Sequence, residues 1–293
     1  MRMQRIEQGM STAYYAQHHG DQPAVIETDC VTTFAQLNAR ANQLVRALRQ
    51  RGLKAGDAVA LLCSNRLEFV DVIVALERSG LRITPINTHL TGDEVGYILD
   101  NCEAKAFISE ARYAAQAFAA VVLAKRSKVK FAIGGEIAGF EAYEKALMSC
   151  SDHDIEDPTL GSRMLYTSGT TGRPKGVFRD LEYALPSVMA SVELANASGY
   201  KCGTGQLHLC AGPLYHAAPL GYSLAQPLLA GVGVVLMNRW DSENALRIIE
   251  QHRITHTHMV PTMFHRLLSL PQEIKDKYDL SSLRILGTVG EPI

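Results

Sequence analysis

The chain carries little that would tie it to a membrane, a metal cage or a nucleic acid. Its six cysteines (Cys30, Cys63, Cys102, Cys150, Cys202 and Cys210) are scattered, with no Cys-x-x-Cys pair and no zinc-type spacing. That pattern favours reduced thiols in a cytoplasmic compartment over a disulfide framework. The longest apolar run, PLLAGVGVVLM from Pro227 to Met237, falls well short of the ~20 residues of a membrane-spanning helix. The opening MRMQRIEQGMSTAYY lacks the apolar centre of a secretory leader. Neither sign of charge dominates: 29 Lys and Arg against 30 Asp and Glu leave a formal net charge of −1, so there is no electrostatic case for nucleic acid. A local cluster, Lys125, Arg126, Lys128 and Lys130, could hold an anion but reads first as a solvated helix end. The Gly-x-Gly-x-x-Gly fingerprint of a nicotinamide site is missing, and so are internal repeats, heptads and low-complexity tracts.

What is present is a regular alternation. Of the 293 residues, 47% are hydrophobic and 20% charged, ordinary values for a globular chain with ample core. TTFAQLNARANQLVRALRQRG predicts an amphipathic helix capped by Thr33 and stopped at Gly52, and AVALLC (58–63) an apolar strand. RLEFVDVIVALERSG predicts a helix ended by Gly80, then comes a strand in RITPIN, then a helix opened by the capping box Thr91-Gly92-Asp93-Glu94. AKAFIS, VKFAIGG and SRMLYTS read as further strands. Beyond residue 180 the pattern predicts helices near 183–197 and 217–229, a helix capped by Asp241, and strands in QLHLCAG, GVVLM, ITHTHMV and LRILGTV. Strands apolar on both faces, separated by helices, imply α/β architecture with a parallel sheet covered on both sides.

The strand SRMLYTS runs directly into YTSGTTGRPKGV (166–177), with five hydroxyl residues, three glycines, an Arg and a Lys in twelve positions. Glycines 169, 172 and 176 let backbone N–H groups approach a ligand closely. Thr167, Ser168, Thr170 and Thr171 add hydroxyls, and Lys175 adds a mobile positive charge. This density of donors suits a polyphosphate. The spacing is not that of a P-loop, because Pro174 stands where that motif places its second glycine. A flexible surface loop rich in turn formers is the bland alternative, and the order of the residues argues against it.

YTSGTTGRPKGV resembles the phosphate-binding signature of the adenylate-forming superfamily, which includes acyl-CoA synthetases, firefly luciferase and the adenylation domains of peptide synthetases. The likeness continues in SGLRITPINTHLTGDEVGYILDNCEAKAFI, in PLYHAAPL and in LSSLRILGTVGEPI. It implies a two-step reaction in which a carboxylate attacks ATP to give an acyl-adenylate and pyrophosphate, and a thiol, usually coenzyme A, then takes the acyl group. By the same resemblance Thr167, Ser168, Gly169, Thr170, Thr171, Gly172 and Lys175 would hold the phosphates, with Thr167 assisting Mg²⁺. Gly290, Glu291 and Pro292 would line the adenine pocket. His216 would stand at the carboxylate entrance, and with Lys175 it is the candidate catalytic residue. Because LYHA offers no carboxylate for an ammonium group, an amino-acid substrate is disfavoured and a fatty or aromatic carboxylic acid expected. His256 and His258 share one strand face as a metal pair would, but no third ligand is apparent, so satisfied histidines are expected.

The resemblance also implies two interleaved doubly wound subdomains, roughly 57–205 and 9–55 with 206–293, making up an incomplete N-terminal AMP-binding domain. The chain stops just past a strand end, short of the family's Mg²⁺-binding glutamate, ribose-binding aspartate and C-terminal lysine. The expectation is therefore a truncated acyl-CoA synthetase whose complete form activates a carboxylic acid, a fatty acid first, inactive in isolation and with a sheet left open at its last strand. Transfer of the acyl group to a carrier protein, or a non-catalytic nucleotide-binding fragment, are the alternatives. Partners expected are the acid, ATP and CoA, with no nucleic acid and no transmembrane segment; a homodimer is allowed for.

Overall fold

The computed structural model describes residues 1–28, 30–167, 174–179 and 181–288. Its strands form two sheets. The first draws on both ends of the chain: β1 (Pro23–Glu27) and β2 (Cys30–Thr33) join four later strands, described below. The second is built from the stretch between them: β3 (Ala58–Leu62), β4 (Arg82–Pro85), β5 (Ala104–Glu110), β6 (Val129–Ile133), β7 (Glu141–Ala142), β8 (Ser162–Thr167) and β9 (Lys175–Arg179). The later strands of the first sheet are β10 (Leu207–Cys210), β11 (Gly233–Leu236), β12 (His256–His258) and β13 (Ile285–Gly287). The strand orders are β13-β12-β10-β11-β1-β2 and β7-β6-β5-β3-β4-β8-β9. Pairing is parallel throughout except at β2 and β9, which lie antiparallel at one edge of each sheet.

The helices are α1 (Arg2–Glu7), α2 (Ser11–His19), α3 (Phe34–Gln50), α4 (Leu67–Glu77), α5 (Gly92–Asn101), α6 (Ala114–Leu123), α7 (Tyr143–Met148), α8 (Leu181–Ala197), α9 (Gln226–Leu229), α10 (Ser242–Gln251), α11 (Pro261–Leu268) and α12 (Gln272–Lys275). Successive side chains of a strand point to opposite faces, and here both faces are buried. Val59 and Leu61 of β3 join a core made with α2, α3 and α4, which also takes in Val25 of β1 and Val234 of β11. Ala60 and Leu62 join a second core with α5 and α6. Ile26 and Val235 face a third, with α10 and Phe264 of α11. The layers therefore run helix, sheet, shared helix layer, sheet, helix. None of the described helices is long and apolar enough to cross a membrane.

Local chemistry sets several boundaries. Thr33 and Thr91 both form full capping boxes, with Gln36 and Glu94 as the returning partners, and Asp241 accepts from Asn244 N to open α10. The stretch expected as a helix near 217–229 departs from the α geometry: Pro219–Ala225 is π-helical and only Gln226–Leu229 closes as α-helix. The β1–β2 hairpin, β7, β9 and the two N-terminal helices were not expected from the pattern.

Candidate active site

The site is assembled at the carboxyl ends of the strands. In the second sheet β8 and β9 pair in register from Arg163↔Arg179 to Thr167↔Lys175. The last pair puts the Thr167 hydroxyl and the Lys175 ammonium on facing residues of adjacent strands, both exposed. The ends of the glycine- and hydroxyl-rich motif thus meet at one hairpin mouth. A Cβ added to Gly176 would lie 2.4 Å from Met164 Cε and 3.0 Å from Tyr166 Cζ, so a larger residue there would require the Met164 side chain to move aside. Ser168, Gly169, Thr170, Thr171, Gly172, Gly290, Glu291 and Pro292 lie outside the described residues.

The same edge of the second sheet carries an ionic cluster. Glu110, the last residue of β5, accepts from Ser64 N at 3.0 Å and Ser64 Oγ at 2.7 Å, and Arg112 and Arg66 flank it at 3.1 and 3.5 Å. From the other sheet, Glu27 at the end of β1 accepts from Leu67 N at 3.0 Å, giving the first turn of α4 the anionic partner that a helix N-terminus favours.

One buried side chain ties the two edges together. Asn65, just after β3, donates through Nδ2 to Gly212 O at 2.8 Å and Met237 O at 3.1 Å. Its Oδ1 accepts from Leu214 N at 2.8 Å. The ends of β10 and β11 are thereby fixed to the end of β3. Leu214 belongs to the turn that leads into His216, whose own N–H donates to Pro213 O at 3.1 Å. Sequence reasoning missed Asn65; its partners lie 147 to 172 residues away, and no local spacing signals them.

His216 is exposed, with its ring centroid 4.6 Å from that of Tyr215. Partial loss of water lowers its pKa, and the neighbouring His89 lowers it further. At neutral pH it is a neutral imidazole, able to donate one hydrogen bond and accept another. It lies at the entry to the π-helix, a geometry that recurs at functional sites.

Three more histidines share one face of the first sheet. Parallel register sets His208 beside His256 and Cys210 beside His258. His256 is satisfied on both nitrogens, by Thr255 Oγ1 at 2.7 Å and Ser198 O at 3.0 Å. His208 Nδ1 meets Tyr200 OH at 2.6 Å, while burial, with His256 and His258 adding, pushes its pKa down to about 3. His258 stacks on Tyr222 of the π-helix at 5.2 Å. The Nε2 atoms of His208 and His258 are buried without a hydrogen-bond partner. No group of three His, Cys, Asp or Glu side chains able to hold a metal occurs among the described residues.

The family model for AMP-binding enzymes matches residues 13–293. The chain belongs to the AMP-binding enzyme family. Its relatives include a feruloyl-CoA synthase of Amycolatopsis, 30% identical over 89% of this chain and 50% of that protein. An indoleacetate–CoA ligase of Aromatoleum aromaticum is 31% identical over 87% of this chain and 49% of its own. A fatty acid–[acyl-carrier-protein] ligase of Streptomyces coeruleorubidus is 29% identical over 97% and 53%. Among solved structures, the anthranilate CoA ligase AuaEII in complex with anthranoyl-AMP superposes with a TM-score of 0.86 at 23% identity, covering 97% of this chain and 55% of that one. The N-terminal domain of FACL13 from Mycobacterium tuberculosis gives 0.82 at 26% identity, over 98% and 70%. This AMP-binding enzyme chain spans about half the length of the relatives it matches. Its two mainly parallel sheets flanked by helices are the architecture of the N-terminal part of acyl-CoA ligases.

Proposed function

We propose that this chain supplies the phosphate-binding hairpin and the acid entrance of a carboxylate–CoA ligase. The observation that carries this is the hairpin mouth: Thr167 and Lys175 face each other across β8 and β9, with the residues 168–173 between them. In the first step a carboxylate oxygen attacks the α-phosphorus of ATP, the α–β phosphoanhydride bond breaks, and pyrophosphate leaves. Such transfers are governed by positioning and charge neutralisation. Lys175 balances charge on the departing phosphates, while Ser168, Gly169, Thr170, Thr171 and Gly172 surround them. Gly290, Glu291 and Pro292 receive the adenine. The neutral His216 donates a hydrogen bond to the incoming carboxylate without forming a permanent ion pair. In the second step a thiol attacks the acyl carbonyl and AMP leaves. Thr167 would hold the Mg²⁺ that accompanies ATP through its hydroxyl, and the ion would supply charge neutralisation on the phosphates.

The division of labour follows from two interleaved subdomains, 57–205 bearing the hairpin and 9–55 with 206–293 bearing His216. Sheet membership supports this: β3 to β9 form one sheet and the remaining strands the other. The acid we infer is planar and aromatic. Tyr215 and His216 flank the entrance, and Tyr222 stacks on His258 behind it. The names of the feruloyl, indoleacetate and anthranilate ligases point the same way. A fatty acid passed to a carrier protein is the second reading, favoured by the acyl-carrier-protein ligase relative. Titration with non-hydrolysable sulfamoyl analogues of benzoyl-, cinnamoyl-, palmitoyl- and phenylalanyl-adenylate separates them. Tighter binding of the aryl analogues is expected. Preference for the palmitoyl analogue would shift the assignment to fatty acids, and preference for the phenylalanyl analogue, or no binding at all, would overturn it.

A further inference from the structure

At the amino-terminal ends of the second sheet, away from the hairpin mouth, lies an open cavity of about 570 Å³. The starts of four strands line it, through Ala58, Arg82, Lys105 and Val129, together with Arg126 and Lys128 from the preceding turn. Five cations, Arg51 included, face only two lining carboxylates, Asp57 and Glu103. Those carboxylates are already engaged, Asp57 with Lys105 at 2.6 Å and Glu103 with Arg126, and Arg51 pairs with Glu141 outside the lining. Arg82 and Lys128 have no carboxylate partner among the described residues.

Arg82 is unusual for a cation without an anion. Its guanidinium is half-buried, donates through Nη2 to Cys102 O at 2.7 Å, and lies 5.0 Å from the Phe178 ring. Its Nε is buried with no hydrogen-bond partner. A buried donor without an acceptor is an uncompensated desolvation cost, so the side chain is held there against its own hydration. Low-dielectric walls holding an excess of one charge also focus that field into the cleft. Leu53, Ala58 and Val129 add apolar wall to the same cavity. Positive charge, a rigid guanidinium fork and an apolar floor suit a phosphate ester better than a carboxylate alone.

We propose that this groove is a second anion site, separate from the hairpin mouth, that takes a small phosphorylated molecule. Arg82 and Lys128 hold its phosphate, and the apolar wall receives the remainder. The site adjoins the hairpin through Phe178, the fourth residue of the strand that starts at Lys175.

The test uses inorganic tripolyphosphate as probe on the Lys175→Ala chain, so that binding at the hairpin mouth is weakened first. Titration calorimetry is paired with hydrogen exchange at an ionic strength of about 0.15 M, where exposed charges are well screened. Saturable binding with protection at the lining segments, residues 51–58, 82, 103–105 and 126–130, weakened at least tenfold by the exposed substitution Lys128→Glu, is the expected result. Arg82→Lys keeps the charge but loses the fork, and should also weaken binding. Absence of binding to the folded Lys175→Ala chain, protection elsewhere, or indifference to Lys128→Glu would each overturn the proposal.

Discussion

Asn65 and His208 show how much a single buried polar group can decide. Asn65, just after β3, satisfies two carbonyls and one N–H in the turns that follow β10 and β11. Truncation to alanine removes three hydrogen bonds and leaves Met237 O and Leu214 N–H without the Asn65 partner, Gly212 O keeping only the Cys210 thiol at 3.5 Å, at a cost of about 3 kcal/mol. Asn65→Asp is the sharper probe. It keeps an acceptor for Leu214 N–H but sets a carboxylate oxygen against Gly212 O and Met237 O. Urea unfolding should show it at least as destabilised as Asn65→Ala, and near-native stability for the aspartate variant would sink this account of the joint. His208 makes a pH prediction. The unfolded chain takes up its proton near the ordinary histidine pKa of about 6.5, the folded chain only near 3. Between those values the unfolded state binds more protons, so stability is complete above the window and is lost as pH falls through it. The slope is about 1.4 kcal/mol per pH unit for one proton. His208→Gln should remove one proton from that slope between about pH 6 and pH 4, read from urea titrations at each pH. An unchanged slope would mean that His208 titrates normally.

At the scale of elements, what could be read from the sequence divides by the range of the forces involved. Helices α3, α5 and α10 were legible because a capping side chain and an amphipathic stripe lie within a few residues of each other. The strands of the parallel sheets were legible as short apolar runs bounded by turn residues. Strand β9 was not, because KGVFR continues a polar, glycine-rich motif and becomes a strand only by pairing with β8. The π-helical turn was not either: its residues are as apolar as those of an α-helix, and nothing in their spacing marks the wider register of the segment packed against β10 and β12. Local devices that were legible should also have local energies. Thr33→Ala and Thr91→Ala each remove one half of a reciprocal cap and should each cost about 1 kcal/mol. The expected observation is a lowered urea midpoint with an unchanged slope. A loss several times larger at Thr33 alone would show that the joint between β2 and α3 carries tertiary load beyond the cap.

For the molecule as a whole, the two sheets share one helix layer, so neither can be lifted out without opening the core of Phe34, Leu37, Leu44 and Val59. That shared layer is what brings a motif on β8 and β9 to the same edge as a turn after β10. The ends of the motif could be read from the sequence; their meeting at one hairpin mouth required the register of the strands. Exposed residues at such a mouth can be altered with little effect on the core, which separates binding from folding. Lys175→Ala should therefore leave the melting temperature nearly unchanged and weaken ATP by about 10- to 100-fold, the value of one charge-assisted contact of about 1.5–3 kcal/mol. The chain spans about half the length of its relatives, and we expect ATP to bind it without turnover. ATP–pyrophosphate exchange, run with benzoate, cinnamate, acetate and palmitate on the folded chain, should then be absent with every acid. Exchange with any of them would show that residues 1–293 suffice for adenylate formation, and loss of that exchange in Lys175→Ala would still place the phosphates at the hairpin. Binding unaffected by Lys175→Ala, with or without exchange, would move the phosphate site away from β8 and β9 altogether.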